Sequence, residues 1–448
     1  MINKQLATLV FLILSTQITA ITLDEYTEKL LQEHPFYSKL TLSEKANQLS
    51  HQSSHLAYDW TTELSANGSH ASSNSINSEK IEVGAQKIIK TTGGRLNLKH
   101  SWSDTNQSQD TSLTTISYTQ PLLKNRAGIN TNLATDLADI DLEIRQLNLL
   151  EQSENFLATK IKSFIELALA QHKVTAYKND ANLSAMQLDI AKEKYAQSIL
   201  SESSMLQEKD GFIRDQQKLL QAEQALQSAK KELATWVALD PKEFFSEYDL
   251  HQALPTIATE LSTIVATNRA TQQLKLEEDK LKRRLVSNEN KLKPSLDLSV
   301  NLTSQGTSND YLSSLSNQSA SYQVGFAFTY PLTNAEENLQ LAQTMNAIAQ
   351  QKITINENAL NLNLQIDSVI SRIELQQELV DIAYQQLQLS DAKLLESEEQ
   401  FSKAMLQKSN VISAKRNANL ARFSHAQAAA SLQKTIIDYL SLTDQLLN

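Results

Sequence analysis

The sequence predicts a mainly α chain with a transmembrane β-barrel portion, laid out as two copies of one order: helix, strand pair, long coiled-coil helix. Three observations predict it. From Asn334 on, some seventy residues run without proline or glycine and are rich in Ala, Leu, Gln, Glu and Asn, which favours one very long helix. Just before it, Tyr322, Val324, Phe326, Phe328 and Tyr330 fall on one face of a period-2 strand, with Gln323, Gly325, Ala327 and Thr329 on the other. Such a strand suits lipid on one side and water on the other. The same succession of helix, alternation and rod occurs earlier in the chain, at a spacing just over two hundred residues.

The 448 residues include only 8 Gly and 6 Pro, no Cys, and carry a formal charge of -10. This balance favours helix, leaves no disulfide framework and argues against a nucleic-acid partner. Residues 1–20 read as a signal peptide, with Lys4, an apolar run from Leu6 to Leu14, and small Ala20 before the cleavage point. A membrane anchor is the competing reading, against which the apolar run is short of the ~20 residues a spanning helix needs. Without a thiol the exported chain cannot be lipid-modified at cysteine.

The first structural repeat spans 21–240. It opens with a helical stretch from Leu23 to about Leu56, broken at Glu33-His34-Pro35-Phe36. The second, 259–448, opens with Leu261 to Leu285, where Ala266-Thr267-Asn268-Arg269 stands before charged helix formers. In the second repeat Leu296, Leu298, Val300 and Leu302 alternate with polar residues, giving a strand over 296–303. A Ser/Asn-rich loop from Ser304 to Ser321 leads to its partner over 321–330. Strands of about ten residues cross a bilayer when tilted. A half-buried pair in a soluble β domain is the alternative, but two strands bury no core and leave an open edge.

The β segments of the first repeat, within 58–120, are four: Tyr58–Gly68, Ile81–Ile89, Leu96–Trp102 and Ser112–Gln120, with Gly93-Gly94 as a turn. The preferred arrangement makes the outermost two the barrel strands and the middle pair an extra hairpin beyond them. Long helices follow over 125–238 and 334–446, each repeat contributing two rods. A rod of about seventy residues is on the order of 100 Å long. Residues 241–258 form an irregular lateral, or equatorial, segment in which Phe244, Phe245, Tyr248 and Leu250 need cover.

A gapless alignment across the rod ends sets Tyr195 against Phe401, Leu200 against Leu406, Ser203 against Ser409, Leu206 against Ile412 and Lys209 against Lys415. Beyond it, Phe212, Leu219, Leu226 and Leu233 recur every seventh residue, with Ala222, Ala229 and Trp236 offset by three. The second repeat keeps the register with Ala418, His425, Leu432 and Tyr439, and with Ala428, Thr435 and Leu442. This is an a/d seam whose small alanines let helices approach closely. A cytoskeletal or adhesin coiled coil would share the seam, but would not return twice through β segments.

Chemistry is sparse. His51 and His55 are the histidine pair at i,i+4 spacing, and without an H-E-x-x-H pattern the favoured reading is a solvated helix face. The phosphate-binding and nucleophile-elbow glycine motifs do not occur, and thiol catalysis is excluded. The expectation is no enzyme, no cofactor, no catalytic residue and no metal site.

With the signal, the repeat, Gln120-Pro121-Leu122 and Tyr330-Pro331-Leu332 at both strand-to-helix junctions, and a Tyr/Phe-led turn in each copy, the chain resembles the outer-membrane efflux protein (TolC-like) family. The resemblance covers nearly all of the mature chain. It implies a homotrimer in the bacterial outer membrane, its strands pooled into one β-barrel and its helices forming an α-helical tunnel through the periplasm. The partners implied are outer-membrane lipid, a periplasmic adaptor (membrane fusion) protein and an inner-membrane pump or ABC transporter. Such a channel is the exit duct of a tripartite efflux or type I secretion system, passing small molecules or a polypeptide; the alternative is a periplasmic adaptor or coiled-coil scaffold. On this resemblance Tyr322, Val324, Phe326, Phe328 and Tyr330 face lipid, and Pro121 and Pro331 mark the strand-to-helix junctions, where they stop the barrel ladder and start the tunnel. The periplasmic mouth and adaptor contact involve Tyr195, Ser198, Ser204, Gln207, Phe401, Ala404, Lys408, Asn410 and Ser413. The family's turn glycine is here Ser198 in one copy and Ala404 in the other. Its acidic constriction positions correspond to Asn410 and Ser413, and Lys408, Lys415 and Arg416 make the local balance basic.

Overall fold

The computed structural model describes residues 19–71, 76–105, 108–235, 237–241, 244–252 and 261–447. The first elements are β1 (Thr19–Ile21), α1 (Leu23–Glu33), α2 (Pro35–His55), β2 (Thr61–Ala71), β3 (Ile76–Ile89), β4 (Gly94–Thr105) and β5 (Ser108–Pro121). The rods α3 (Leu133–Ala196) and α4 (Glu202–Ala234), the short β6 (Phe244–Ser246), α5 (Leu261–Thr267) and α6 (Arg269–Lys291) follow. Last come β7 (Ser295–Ser308), α7 (Tyr311–Ser316), β8 (Gln318–Thr329), α8 (Ala335–Ser402) and α9 (Lys408–Leu442). The helix breaks stand where proline and the Asn268 interruption place them: α1 ends at Glu33, with the extended His34 before Pro35 as its C-cap, and α5 gives way to α6 across Asn268. No helix among the described residues is long and apolar enough to cross a membrane.

Two compact units share the chain, and each of α2, α3 and α8 contributes to both. The sheet unit comprises Leu42–Leu149 and Arg269–Leu360. Its six strands form one antiparallel sheet in the order β2-β3-β4-β5-β7-β8. Register propagates one face across all six: Thr62, Ala85, Leu98, Ile116, Leu302 and Tyr322 stand in one row. Neighbouring rows add Leu64, Ile81, Val83, Leu96, Val300, Val324 and Phe326 to that face, because side chains two apart share a side. The opposite face is polar; there Glu82 bridges Lys80 at 2.9 Å and Lys99 at 2.5 Å, and Asn97 donates to Ser117 at 3.4 Å.

The middle pair of the first repeat is therefore not a hairpin beyond the barrel strands. β3 and β4 are full ladder members between β2 and β5. Their shared turn is seated in the strand-to-helix junction. Gly93, at φ 71°, stacks so closely on Gly128 that a Cβ there would stand 2.6 Å from the Gly128 Cα. Nearby, the Asn132 amide donates to the Lys90 carbonyl at 3.1 Å.

Three further expectations need correction. The first rod begins at Leu133 and not at Asn125, since Asn125, Ala127 and Gly128 all take positive φ and interrupt the helix. The Asn125 carboxamide there accepts from the Asn130 and Thr131 amides at 2.9 and 3.0 Å, replacing helical bonds. The loop from Ser304 to Ser321 is mostly ordered structure: β7 runs to Ser308, and Asp310 caps α7 by accepting from the Ser313 amide at 3.0 Å. The α7 backbone lies on Gly306, where a Cβ would meet the Ser314 carbonyl oxygen at 1.8 Å. Pro121 does not stop the ladder: it pairs with Asp297, and Leu122 still donates to Leu296 at 2.8 Å. Pro331 does lie beyond its strand, which ends at Thr329.

The helical unit takes the chain up to Thr41, Leu150–Asn268 and Asn361–Asn448. Thr22 and Glu25 form a reciprocal capping box that starts α1. The core joins Tyr26 and Leu30 of α1 to Phe164, Ile165 and Leu167 of α3, with Tyr26 stacked on Phe164 at 5.2 Å. The lateral segment closes over this core. Phe244, Tyr248 and Leu250 are buried, and the Tyr248 hydroxyl donates to Gln433 at 3.1 Å. β6 pairs in parallel with β1, bringing Thr19 and Ala20 against Phe244 and Phe245. The signal reading ends inside β1; up to residue 18, and for the lateral segment from 253 to 258, it lies outside the described residues. Cleavage after Ala20 would leave Ile21 on Ser246 and the Thr22 cap intact. Along the seam, Ala222 and Leu233 of α4 and Ala418, Leu432, Thr435 and Tyr439 of α9 are buried.

Candidate functional site

The two rod-to-rod turns are built alike, residue for residue. In the first, Ser198 N–H donates to the Tyr195 carbonyl at 2.9 Å and Ile199 N–H to that of Lys194 at 2.9 Å. In the second, Ala404 donates to Phe401 at 3.0 Å and Met405 to Gln400 at 2.9 Å. Ser198 and Ala404 take φ of 59° and 58°, the left-handed conformation that terminates helices and that glycine adopts without strain. Ser201 then caps α4 through its hydroxyl on the Ser204 amide at 3.3 Å, whereas Gln407 begins α9 without a side-chain cap. Tyr195, Gln207, Phe401, Ala404, Lys408, Asn410 and Ser413 are exposed, as are the apolar Ile199, Leu206 and Met405; Ser204 is half-buried.

The cations near these turns are partly neutralised. Lys415 pairs with Glu398 at 2.9 Å, and Arg416 pairs with Asp215, whose side chain is only 6% exposed. Lys218 approaches the same carboxylate at 3.2 Å. The Asp215–Arg416 pair ties α4 to α9, and Asn419 ties α9 to α3 through the Ala176 carbonyl at 2.7 Å and Asp180 at 2.8 Å. Between α8 and α9 a polar groove of about 680 Å³ opens, lined by Gln386, Lys393, Glu396, Asn410, Ser413 and Asn417 among others. Asn410 and Ser413, the positions without the acidic side chains of the resembled family, thus line this groove together with Lys393 and Glu396.

On β8, Tyr322, Val324, Phe326 and Phe328 are exposed along one face, Phe326 at 69%, and Tyr330 is exposed just past the strand. They continue the apolar face of the whole sheet. Among the described residues the outer strands β2 and β8 each have one unpaired edge.

One cluster was not expected from sequence. Nε2 of His51 and of His55 lie 2.7 and 2.9 Å from an Asp139 carboxylate oxygen and 3.2 Å from each other. Burial pushes the Asp139 carboxyl up, but the hydrogen bonds and charge of His55 and His51 hold it below the usual carboxylate range. The i,i+4 histidine spacing was the visible signal; the carboxylate arrives from another helix. A second histidine group, in the helical unit, stacks His251 on His425 at 4.2 Å. Burial, and then the neighbouring His251, depress the pKa of His172 and of His425.

No protein-family model matches the chain, and no curated protein does. Solved structures match over almost the full length. The outer membrane protein VceC from Vibrio cholerae shares 15% identity at a TM-score of 0.66, covering 94% of this chain and 96% of its own. The Campylobacter jejuni CmeC outer membrane channel shares 12% identity at 0.67, covering 94% and 85%. The Neisseria gonorrhoeae MtrE outer membrane channel, solved in its open state, shares 13% at 0.64, covering 95% and 89%. With the repeated rods, the matched turns and the amphipathic sheet already in place, these likenesses establish that the chain has the fold of the bacterial outer-membrane channels.

Proposed function

We propose that the protein is the outer-membrane exit duct of a tripartite efflux or type I secretion system, passively conducting small molecules or a polypeptide across periplasm and outer membrane. The observation that carries this reading is the apolar face shared by six strands whose two outer edges are unpaired among the described residues. In lipid an open edge leaves backbone groups without partners, so copies must close on one another. In a homotrimer β8 of one chain meets β2 of the next in the antiparallel sense, and three six-stranded sheets make eighteen strands. At about 4.8 Å between strands and about 40° of tilt, such a barrel is about 36 Å across, wide enough for an aqueous lumen. The polar face with Glu82, Lys80 and Lys99 lines that lumen, and Phe326 and Phe328 meet lipid. An adaptor would bury its β domains, and the exposure of Phe326 speaks against that alternative.

At the periplasmic mouth, the groove between α8 and α9 and the exposed tips at Ile199 and Met405 take the helical hairpins of a periplasmic adaptor, and an inner-membrane pump or ABC transporter supplies energy. Opening proceeds by relative movement of α4 and α9, which Asp215 and Arg416 restrain. The test is fractionation and planar-bilayer recording. Trimers extracted by detergent from outer membranes and conducting ions support the duct; a soluble monomer released by osmotic shock and without conductance sinks it.

A further inference from the structure

The last turn of α2 sets His51 and His55 on one side of the helix, since residues four apart share a face. The second turn of α3 presents Asp139 to them, and all three groups belong to the sheet unit. Their ligand atoms form a small triangle with sides of 2.7, 2.9 and 3.2 Å. As a set of hydrogen bonds this triangle is crowded. Two imidazole nitrogens converge on one oxygen while standing within 3.2 Å of each other, so protons on both crowd together and lone pairs on both repel.

As a coordination set it is good. A cation about 2.1 Å from each atom places right-angled ligands about 3.0 Å apart and tetrahedral ones about 3.4 Å apart, so the sides of 2.7, 2.9 and 3.2 Å lie close to a right-angled set and short of a tetrahedral one. Two neutral imidazoles and a carboxylate suit a divalent cation of borderline softness, while calcium and magnesium prefer all-oxygen shells. The side chains are 27%, 32% and 45% exposed, so water reaches the remaining positions and the ion can exchange.

We propose that His51, His55 and Asp139 bind one divalent transition cation, of which zinc is the probe, and that the ion clasps α2 to α3 at the foot of the sheet. The clasp acts on a defined structure. One turn before Asp139, Thr135 and Asn132 hold the Tyr58 hydroxyl at 2.8 Å each, just ahead of β2. Asn132 also holds Lys90 in the β3–β4 turn, and the Lys90 ammonium sits 5.5 Å over the Tyr58 ring. An ion at the triad therefore stiffens the seat of the β3–β4 hairpin, the feature that sets the width of the sheet.

The test uses the full chain, purified in detergent and stripped with a chelator. Zinc is titrated against a chromophoric competitor, and melting is followed with zinc, with magnesium and with chelator alone. The expected result is one zinc per chain that raises the melting temperature, with no rise from magnesium. His55→Gln and Asp139→Asn should melt like the parent in chelator yet lose the zinc-dependent rise. The stacked His251 and His425 remain in every protein, so zinc held there persists in the variants and is subtracted. X-ray absorption of the zinc-loaded parent, which needs no variant, should show two imidazoles per zinc. Equal zinc-dependent stabilisation in parent and variants, or absorption without imidazole ligands, would overturn the proposal.

Discussion

Replacing Ala404 by glycine should tighten the second rod-to-rod turn. Ala404 sits at φ 58°, where an L-residue is strained by roughly 1–2 kcal/mol through its Cβ. Glycine removes that strain but gives the unfolded chain more freedom, which costs about 0.4–1 kcal/mol. The net gain is about 0.5–1 kcal/mol per turn. Nothing offsets it by lost packing, because the side chain is exposed and the bonds from Ala404 to Phe401 and from Met405 to Gln400 are made by the backbone. The same reasoning applies to Ser198 at φ 59°. Hydrogen exchange of peptides covering Phe401 to Lys408 is the assay. A gain of this size slows exchange there by a factor of roughly two to five, while Ala404→Val, which adds branching at the same φ, speeds it. Exchange that is unchanged or faster in Ala404→Gly would show that the backbone angle is not what limits this turn.

Phe326→Asp, on the apolar face of β8, should block assembly of the barrel, whereas Gln323→Ala on the polar face leaves assembly intact and at most alters conductance; heat-resistant oligomer on gels distinguishes them. Equal assembly would reverse the assignment of faces. Arg416→Ala strips the buried Asp215 of a partner and should destabilise the α4–α9 contact by about 2 kcal/mol, reduced from the fully buried case by the exposure of the arginine; channel recordings should then show more frequent opening. The depressed pKa values of His172 and His425 mean that the folded helical unit favours their neutral forms. Their contribution is intact above the unfolded value of about 6.5 and is lost as pH falls from there through the lower folded values. Melting followed from pH 7.5 to 5 should therefore decline less in His425→Gln than in the parent.

The rods, the helix breaks at Pro35 and Asn268, the two-copy order and the correspondence of Tyr195 with Phe401 were legible from sequence alone, because composition and period report on local backbone and on one buried face. The left-handed turns at Ser198 and Ala404 could be located by alignment, although neither residue announces a positive φ. Tertiary structure alone decided the rest. Alternation between residues 58 and 120 marks strands but does not say which neighbours they pair with, so the place of β3 and β4 inside the ladder had to come from the seat that Gly93 and Gly128 make for their turn. The helix expected from Asn125 was displaced to Leu133 by three positive-φ residues that hold that seat. Asp139 lies more than eighty residues from His51 and His55, beyond any local spacing rule, and only the packing of α3 on α2 turns a histidine pair into a three-ligand cluster.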